Sequence, residues 1–220
     1  MSSPKSRSLS RRIDAALARI PCDLVLKNAR FLDVYSCTFR KGDLSVIDGV
    51  IVGIEPGLKG TREIDLKGKH VVPGFIDAHV HVESSLMVPE HFEAAVLKCG
   101  TTSAICDPHE LANVQGVSGI EYFLKASERL TLDLHVMLSS CVPATHMETN
   151  GGGTIQAEAL AKLASHPRAL GLAEGSGKGQ SSGAQAHDDD SLRHFASRRT
   201  GTGGAAGELA VWLCSRVRGD

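Results

Sequence analysis

Short apolar runs alternate with longer helical segments between residues 71 and 174, and this alternation constrains the fold more than any other feature of the chain. Strands that alternate with helices pair in parallel, because each helix returns the chain to the same end of the sheet. We therefore predict an α/β fold here. The apolar runs predict strands at Val71–Asp77, Thr101–Cys106, Leu132–Leu138 and Ala169–Ala173, separated by helices at Pro89–Lys98, Gly116–Glu128 and Ile155–Ser165.

Residues 22–72 have a different pattern, in which short β-type runs are separated by turn residues. The runs are Leu24–Leu26, Arg30–Tyr35, Leu44–Ile47 and Val50–Ile54. Asp48-Gly49 lies between two of them and is a strong signal for a tight β-hairpin. We predict a small all-β unit in this segment. A polar lead with a short helix precedes it in residues 1–21, and residues 175–220 lack any strand or helix period over most of their length, which predicts a disordered tail.

The charge of the chain is nearly balanced, with 24 Lys and Arg against 25 Asp and Glu. This balance gives no general basic surface for nucleic acid or for an anionic membrane. No run of about 18 apolar residues predicts a membrane span. The six cysteines show no CxxC pair, which is typical of reduced thiols and favours a cytoplasmic location. A transit peptide in the Arg- and Ser-rich lead is the alternative.

His79 and His81 stand two residues apart at the end of the first apolar run. On an extended strand, residues at i and i+2 point to the same side. Two neutral imidazoles on one side can bind a divalent transition metal. Two polar side chains without a ligand would give the same pattern, so the spacing alone does not decide between these interpretations.

Polar groups also follow the other three predicted strands. Cys106-Asp107-Pro108-His109-Glu110 follows the second, where the side chains either bind metal and move protons or form a loop in which Asp107 caps a helix. Ser139-Ser140-Cys141 follows the third strand, and Glu174 follows the fourth. Because the carboxyl ends of parallel strands lie on one face, we expect these groups to converge there.

Four motifs together closely resemble the adenine deaminases of the amidohydrolase superfamily. They are PGFIDAHVHVESS from Pro73, CDPHE from Cys106, SSCVPAT from Ser139 and GLAE from Gly171. The resemblance extends from Cys22 to Glu174. It implies a partial β-sandwich in residues 22–72 and, in residues 73–174, the first half of a (β/α)8 amidohydrolase barrel.

The resemblance also implies a reaction, the hydrolysis of adenine to hypoxanthine and ammonia by a metal-activated hydroxide. The cofactor would be a binuclear centre of divalent metal, manganese or iron, with zinc as an alternative.

His79, His81 and Glu174 would be metal ligands, and Glu174 would also be catalytic, in the place of a bridging ligand. The full-length protein would be a homo-oligomer. The accessory groups near the centre would be Glu83, Ser84, Asp107, His109 and Glu110. The zinc deaminases with a PCxxC motif are excluded, since the chain has none.

The chain departs from this family after Glu174. Neither His187 nor His194 follows an apolar strand, and residues 188–190 form an acidic run typical of a solvated surface, so we assign no further ligands. A complete barrel takes roughly 250 residues, more than remain after residue 72. We predict that residues 175–206 come from a shifted reading frame and that the sequence then ends early. The alternatives for function are an inactive fragment and another amidohydrolase acting on a cyclic amide.

Overall fold

The computed structural model describes residues 4–143 and 154–173, with side chains from residue 8 onward. These residues divide into two compact units, 4–74 and 75–173 without the gap. Helices and strands occur in both, so the fold is mixed α/β. Within the described ranges, no helix is long and apolar enough to cross a membrane.

The first unit contains one helix and a five-stranded sheet. The elements are α1 (Pro4–Ala16), β1 (Cys22–Asp33), β2 (Thr38–Ile47), β3 (Val50–Gly53), β4 (Gly60–Asp65) and β5 (His70–Val71). The strand β1 lies in the middle of the sheet, antiparallel to β2 and parallel to both β4 and β5. The strand β3 pairs with the outer side of β2.

Two details of this sheet test the sequence predictions. The predicted tight hairpin is confirmed, because Asp48 and Gly49 alone connect β2 to β3 and have positive φ angles of 50° and 73°. The prediction of two separate strands before and after Asn28 is wrong. Asn28 has a φ of 55° inside β1, where the pairing with β2 shifts register, and its N–H donates to Asp43 Oδ1 at 2.9 Å. The turn residue is therefore accommodated as a β-bulge within one long strand.

The second unit is a four-stranded parallel sheet with helices between its strands. Its strand order, β6-β7-β8-β9, follows the order of the chain. The predicted strand Val71–Asp77 is displaced, because the strand begins at Phe75 and Val71 belongs to β5. The other predicted strands and helices are confirmed to within a few residues. The elements are β6 (Phe75–Val80), α2 (Pro89–Val96), β7 (Thr101–Cys106), α3 (His109–Gln115), α4 (Val117–Ser127), β8 (Asp133–Leu138), α5 (Ala157–Leu163) and β9 (Ala169–Leu172).

The central strands β7 and β8 bury alternate residues. Leu134, Val136 and Leu138 of β8 are fully buried, and they belong to one apolar cluster with Ile120 and Phe123 of α4. When a helix covers one face of a sheet, every second residue of the strands is buried, and so are helix residues three or four positions apart. The strands β7 and β8 and the helix α4 show these patterns. This packing fixes the strands whose carboxyl ends carry the polar groups described next.

Candidate functional site

The two histidines of the HVH motif lie side by side at the carboxyl end of β6. His79 is in the strand and His81 follows it directly. The Nε2 atoms of the two rings are 3.0 Å apart, and the ring planes are inclined by 72°. The backbone N–H of His79 donates to Oδ1 of Asp77 at 3.2 Å, which holds the strand end in place.

The spacing of these nitrogens fits two ligands of one cation. Metal–nitrogen bonds of about 2.0–2.1 Å at angles of about 90–110° place two nitrogens roughly 2.8–3.4 Å apart. His79 is exposed, and the side chain of His81 is 27% exposed, so solvent reaches the pair. The described residues contain no group of three metal-binding side chains. Glu174, the third predicted ligand, lies outside the described residues.

Glu110 lies against the other nitrogen of His81. Its Oε2 is 3.0 Å from His81 Nδ1, although the two groups are not aligned as in a linear hydrogen bond. Its second oxygen, Oε1, accepts a hydrogen bond of 3.0 Å from Ser84 Oγ. Glu110 stands in the first turn of α3, and Ser84 stands in the short 3-10 turn at Glu83–Ser85. Two segments that follow neighbouring strands thus meet beside the histidine pair.

Glu83 is the second carboxyl group of this cluster, and its Oε1 accepts from the backbone N–H of Leu111 at 3.2 Å. Burial raises the pKa of Glu83, and the charge of Glu110 adds to the rise. Burial also acts to raise the pKa of Glu110. However, hydrogen bonds from its backbone and from Ser84, together with the facing His81, outweigh that effect, so the pKa of Glu110 lies below its usual range. Glu110 is therefore a carboxylate at neutral pH, whereas Glu83 keeps its proton to a higher pH.

Asp107 lies at the end of β7 and is almost completely buried, at 1% exposure. Its Oδ1 accepts a hydrogen bond of 2.5 Å from Ser139 Oγ, and its N–H donates to the carbonyl of Val80 at 3.0 Å. The interpretation of Asp107 as a helix cap is wrong, because Pro108 occupies the N-cap position of α3 and no side chain caps it. Asp107 instead connects three successive strand ends. His109 is the first residue of α3 and is half-buried.

From the sequence, Ser139 was placed among the polar groups expected at this face but was assigned no role, whereas the structure shows its hydroxyl bonded to Asp107. The structure brings together four predicted groups, His81, Glu83, Ser84 and Glu110, with His79 in contact with His81. His187, His194 and the acidic run at residues 188–190, for which no ligand role was predicted, lie outside the described residues.

Residues 70–206 match the model of the amidohydrolase family. The chain belongs to this family. It is 52% identical over 168 residues to an adenine deaminase of Cereibacter sphaeroides, a match that covers 76% of this chain and 30% of the relative. It is 47% identical over 171 residues to adenine deaminase 1 of Agrobacterium fabrum, which covers 78% of this chain and 30% of the relative. The resemblance of the four motifs to adenine deaminases is confirmed. The chain spans about 30% of the length of these curated relatives.

Solved structures of amidohydrolases share the fold. The chain superposes on the L-hydantoinase of Arthrobacter aurescens with a TM-score of 0.50 at 21% identity, covering 82% of this chain and 39% of that one. It also superposes on the N-acyl-D-glutamate deacylase of Bordetella bronchiseptica, a zinc complex, with a TM-score of 0.52 at 18% identity, covering 82% of this chain and 44% of that one. At these identities the likeness concerns the fold alone.

Proposed function

We propose that this chain is a metal-dependent hydrolase of the adenine deaminase type, which converts adenine and water to hypoxanthine and ammonia. The observation that carries the proposal is the 52% identity over 168 residues to an adenine deaminase. The converging Nε2 atoms of His79 and His81 supply an independent, geometric reason to expect a metal site.

The finer architecture is part of the same proposal. The sheet of β6–β9 is the first half of a (β/α)8 barrel, and the sheet of β1–β5 is part of a β-sandwich. Two features support the barrel: its strands are parallel, and their order in the sheet is their order in the chain. The polar side chains at the carboxyl ends of β6, β7 and β8 lie where barrel enzymes carry their active sites.

His79 and His81 hold a divalent cation through their Nε2 atoms in this proposal, and Glu174 is a further ligand and the catalytic carboxylate. A site that combines imidazole and carboxylate suits manganese or iron, with zinc as an alternative, in a binuclear centre. When bound, such cations make water nucleophilic near neutral pH.

The reaction requires two events at C6 of the purine ring. The oxygen of water forms a bond to C6, one of the two water protons passes to the ring nitrogen N1, and the bond between C6 and the exocyclic nitrogen breaks. The second proton reaches the leaving nitrogen through a general acid, so that nitrogen departs as ammonia and C6 keeps its oxygen as a carbonyl. The buried Asp107 is not exposed to a substrate, and its contact with Ser139 gives it a supporting role below the site.

The test uses the 220-residue chain and a chimera in which residues 22–173 replace the matching segment of the Cereibacter sphaeroides adenine deaminase. Both are loaded with manganese or iron, and the loss of adenine and the release of ammonia are followed. We expect the chimera to deaminate adenine and its His81→Ala variant to be inactive. The control is His91→Ala, an exposed histidine of α2 outside the site. A chimera that opens a cyclic amide such as hydantoin but leaves adenine intact would overturn the proposal.

A further inference from the structure

We propose that one face of the sheet in the first unit binds single-stranded nucleic acid. The binding surface is a row of three exposed side chains, Lys41, Arg30 and His70, which we call the basic row, together with the neighbouring ring of Phe39. This surface lies wholly within residues 4–74, so the proposal does not depend on the deaminase activity.

The nearly balanced charge of the chain is the sum of two oppositely charged units. Residues 4–74 contain 13 Lys and Arg against 8 Asp and Glu, whereas residues 75–173 contain 5 Lys and Arg against 11 Asp and Glu. A polyanion is attracted by a local excess of positive charge, even where the net charge of the whole chain is near zero. The first unit therefore has the charge that a nucleic-acid surface requires.

The basic row crosses three neighbouring strands. Arg30 of β1 lies opposite Lys41 of β2 in the antiparallel pair and opposite His70 of β5 in the parallel pair. Residues opposite each other in a pleated sheet point to the same face, so the three side chains lie side by side. Because neighbouring strands are about 4.8 Å apart, the row is about 10 Å long. It can contact more than one phosphate of a nucleic-acid strand.

The two cations of the row lack an acidic partner. The carboxylates of Asp33 and Glu55 pair instead with Arg40, at 3.7 and 3.4 Å. Among the side chains that the structure describes, no carboxylate lies within ion-pair distance of Arg30 or Lys41. Like charges directly opposite each other on paired strands lower the stability of a sheet. A phosphate bound between the two cations would remove this repulsion.

An aromatic pair lies on the same face as the cations. Phe39 stands two residues before Lys41 in β2 and is 48% exposed. Its ring meets the ring of His70 edge-on, with the centroids 4.8 Å apart. Nucleobases stack on exposed rings of this kind, while the phosphates bind neighbouring Arg and Lys side chains. An acidic peptide would use the cations without the rings, so the combination favours single-stranded nucleic acid.

The first experiment measures the fluorescence anisotropy of a labelled oligouridylate of about 12 nucleotides with the 220-residue chain. Uracil is used because the proposed deaminase site takes adenine. We expect the Arg30→Ala/Lys41→Ala variant to bind about tenfold or more weakly at about 50 mM salt. Its log Kd should also depend less steeply on log salt, by about 1–1.5 in slope. The matched control is Lys125→Ala/Arg129→Ala, which removes the same charge at two exposed residues of the second unit and should change neither value.

The second experiment tests the ring. We expect Phe39→Ala to weaken binding about fivefold or more with little change in the salt slope, because stacking does not displace counterions. Tyr35→Ala removes a ring that is 98% exposed but lies outside the row, and it should leave the Kd unchanged. An Arg30→Lys/Lys41→Arg variant keeps both charges and should bind like the native chain, which separates loss of charge from loss of folding.

Two results would overturn the proposal. One is equal oligouridylate affinity in the native chain and the Arg30→Ala/Lys41→Ala variant, since the binding would then use other residues. The other is equally tight binding of a polyglutamate peptide with the same charge, which would assign the basic row to an acidic protein partner. Neither readout involves adenine, so a failure of the proposed deaminase function would leave this proposal standing.

Discussion

The hydroxyl of Ser139 donates to Oδ1 of Asp107 over 2.5 Å, and this hydrogen bond joins the carboxyl ends of two neighbouring parallel strands. Both residues are buried, at 0% and 1% exposure. A buried carboxylate is costly unless hydrogen bonds satisfy it, so the bond contributes more than an exposed one would. It fixes the segment between β7 and α3, and therefore the start of the helix that carries Glu110.

We expect Ser139→Ala to lower the free energy of unfolding by about 1–3 kcal/mol, because it removes a donor from a buried carboxylate. Asp107→Ala should have an effect of similar size, and the double variant should cost less than the sum of the two. Urea unfolding followed by circular dichroism measures all three. The control is Ser118→Ala, an exposed serine of α4 whose hydroxyl donates to the carbonyl of Gln115, at the end of α3, in the described contacts. Additive effects at residues 107 and 139 would contradict the coupling.

The spacing of the histidine pair leads to a prediction about metal affinity. Each of His79→Ala and His81→Ala should weaken Zn²⁺ binding at least tenfold, because each removes one of two nitrogens that lie 3.0 Å apart. Calorimetric titration of the chelator-treated chain measures the affinity. His91→Ala, in α2, should leave it unchanged. Equal affinity in the native chain and the His79→Ala variant would show that the metal binds elsewhere.

Cysteine accessibility provides a test of the core. Cys37 and Cys99 are exposed, whereas Cys22, Cys106 and Cys141 are buried. In a Cys214→Ser background, which removes the cysteine outside the described residues, a disulfide reagent should label two thiols rapidly and three only on unfolding. The amount of chromophore released over time gives the number of thiols that react rapidly and the number that react only on unfolding. Rapid labelling of Cys106 in the native state would contradict the buried position of β7.

The thiol of Cys106 should make the free energy of unfolding fall at alkaline pH. Burial raises the pKa of Cys106, and the nearby charges of Glu83 and Asp107 raise it further. The unfolded chain ionises this thiol near pH 8.5, while the folded chain keeps it neutral. Protonation therefore favours the folded state, and that contribution is lost as the pH rises above about 8.5. Unfolding measurements from pH 7.5 to 10 should show this fall, and Cys106→Ala should make it shallower. An equally steep fall in the variant would assign it to other groups.

The outer strand β6 predicts self-association. Phe75 and Ile76 are 66% and 67% exposed, and among the described strands β6 pairs only with β7. An open strand edge with apolar side chains promotes pairing between chains. Ile76→Lys should reduce concentration-dependent light scattering with little change in the free energy of unfolding. Val114→Lys makes the same change at an equally exposed residue of α3 and should reduce the scattering less. Equal effects would indicate general charge repulsion.

The strands and helices of the second unit could be predicted because the spacing of the apolar residues and the lengths of the segments were clear in the sequence. The strand Thr101–Cys106 was predicted with the bounds that the structure shows, since an uncharged run lies there between Gly100 and Asp107. The boundary near Val71 was wrong because an apolar run does not reveal which sheet a residue joins. Val71 pairs with Phe31 in the first unit, and Pro73 and Gly74 separate it from β6. Such long-range pairing is not encoded in local pattern.

The membership of the site was easier to predict than its contacts. The motifs placed His81, Ser84 and Glu110 near one another because all three follow parallel strands. The pairing of Glu110 with His81 could not be predicted, since it depends on the direction in which α3 leaves β7. Similarly, Asp107 before a proline is typical of a helix start, yet tertiary contact with Ser139 decides its role.

The identity of strand order and chain order in β6–β9 has a consequence for how this unit is made. Each strand pairs with the next along the chain, as Phe75 pairs with Thr101 and Ser103 with Asp133. Loops of this size close at modest entropic cost, and contacts close in sequence form quickly. The sheet can therefore grow by one strand at a time as the ribosome releases the chain, and each new strand can pair with the strand synthesised just before it.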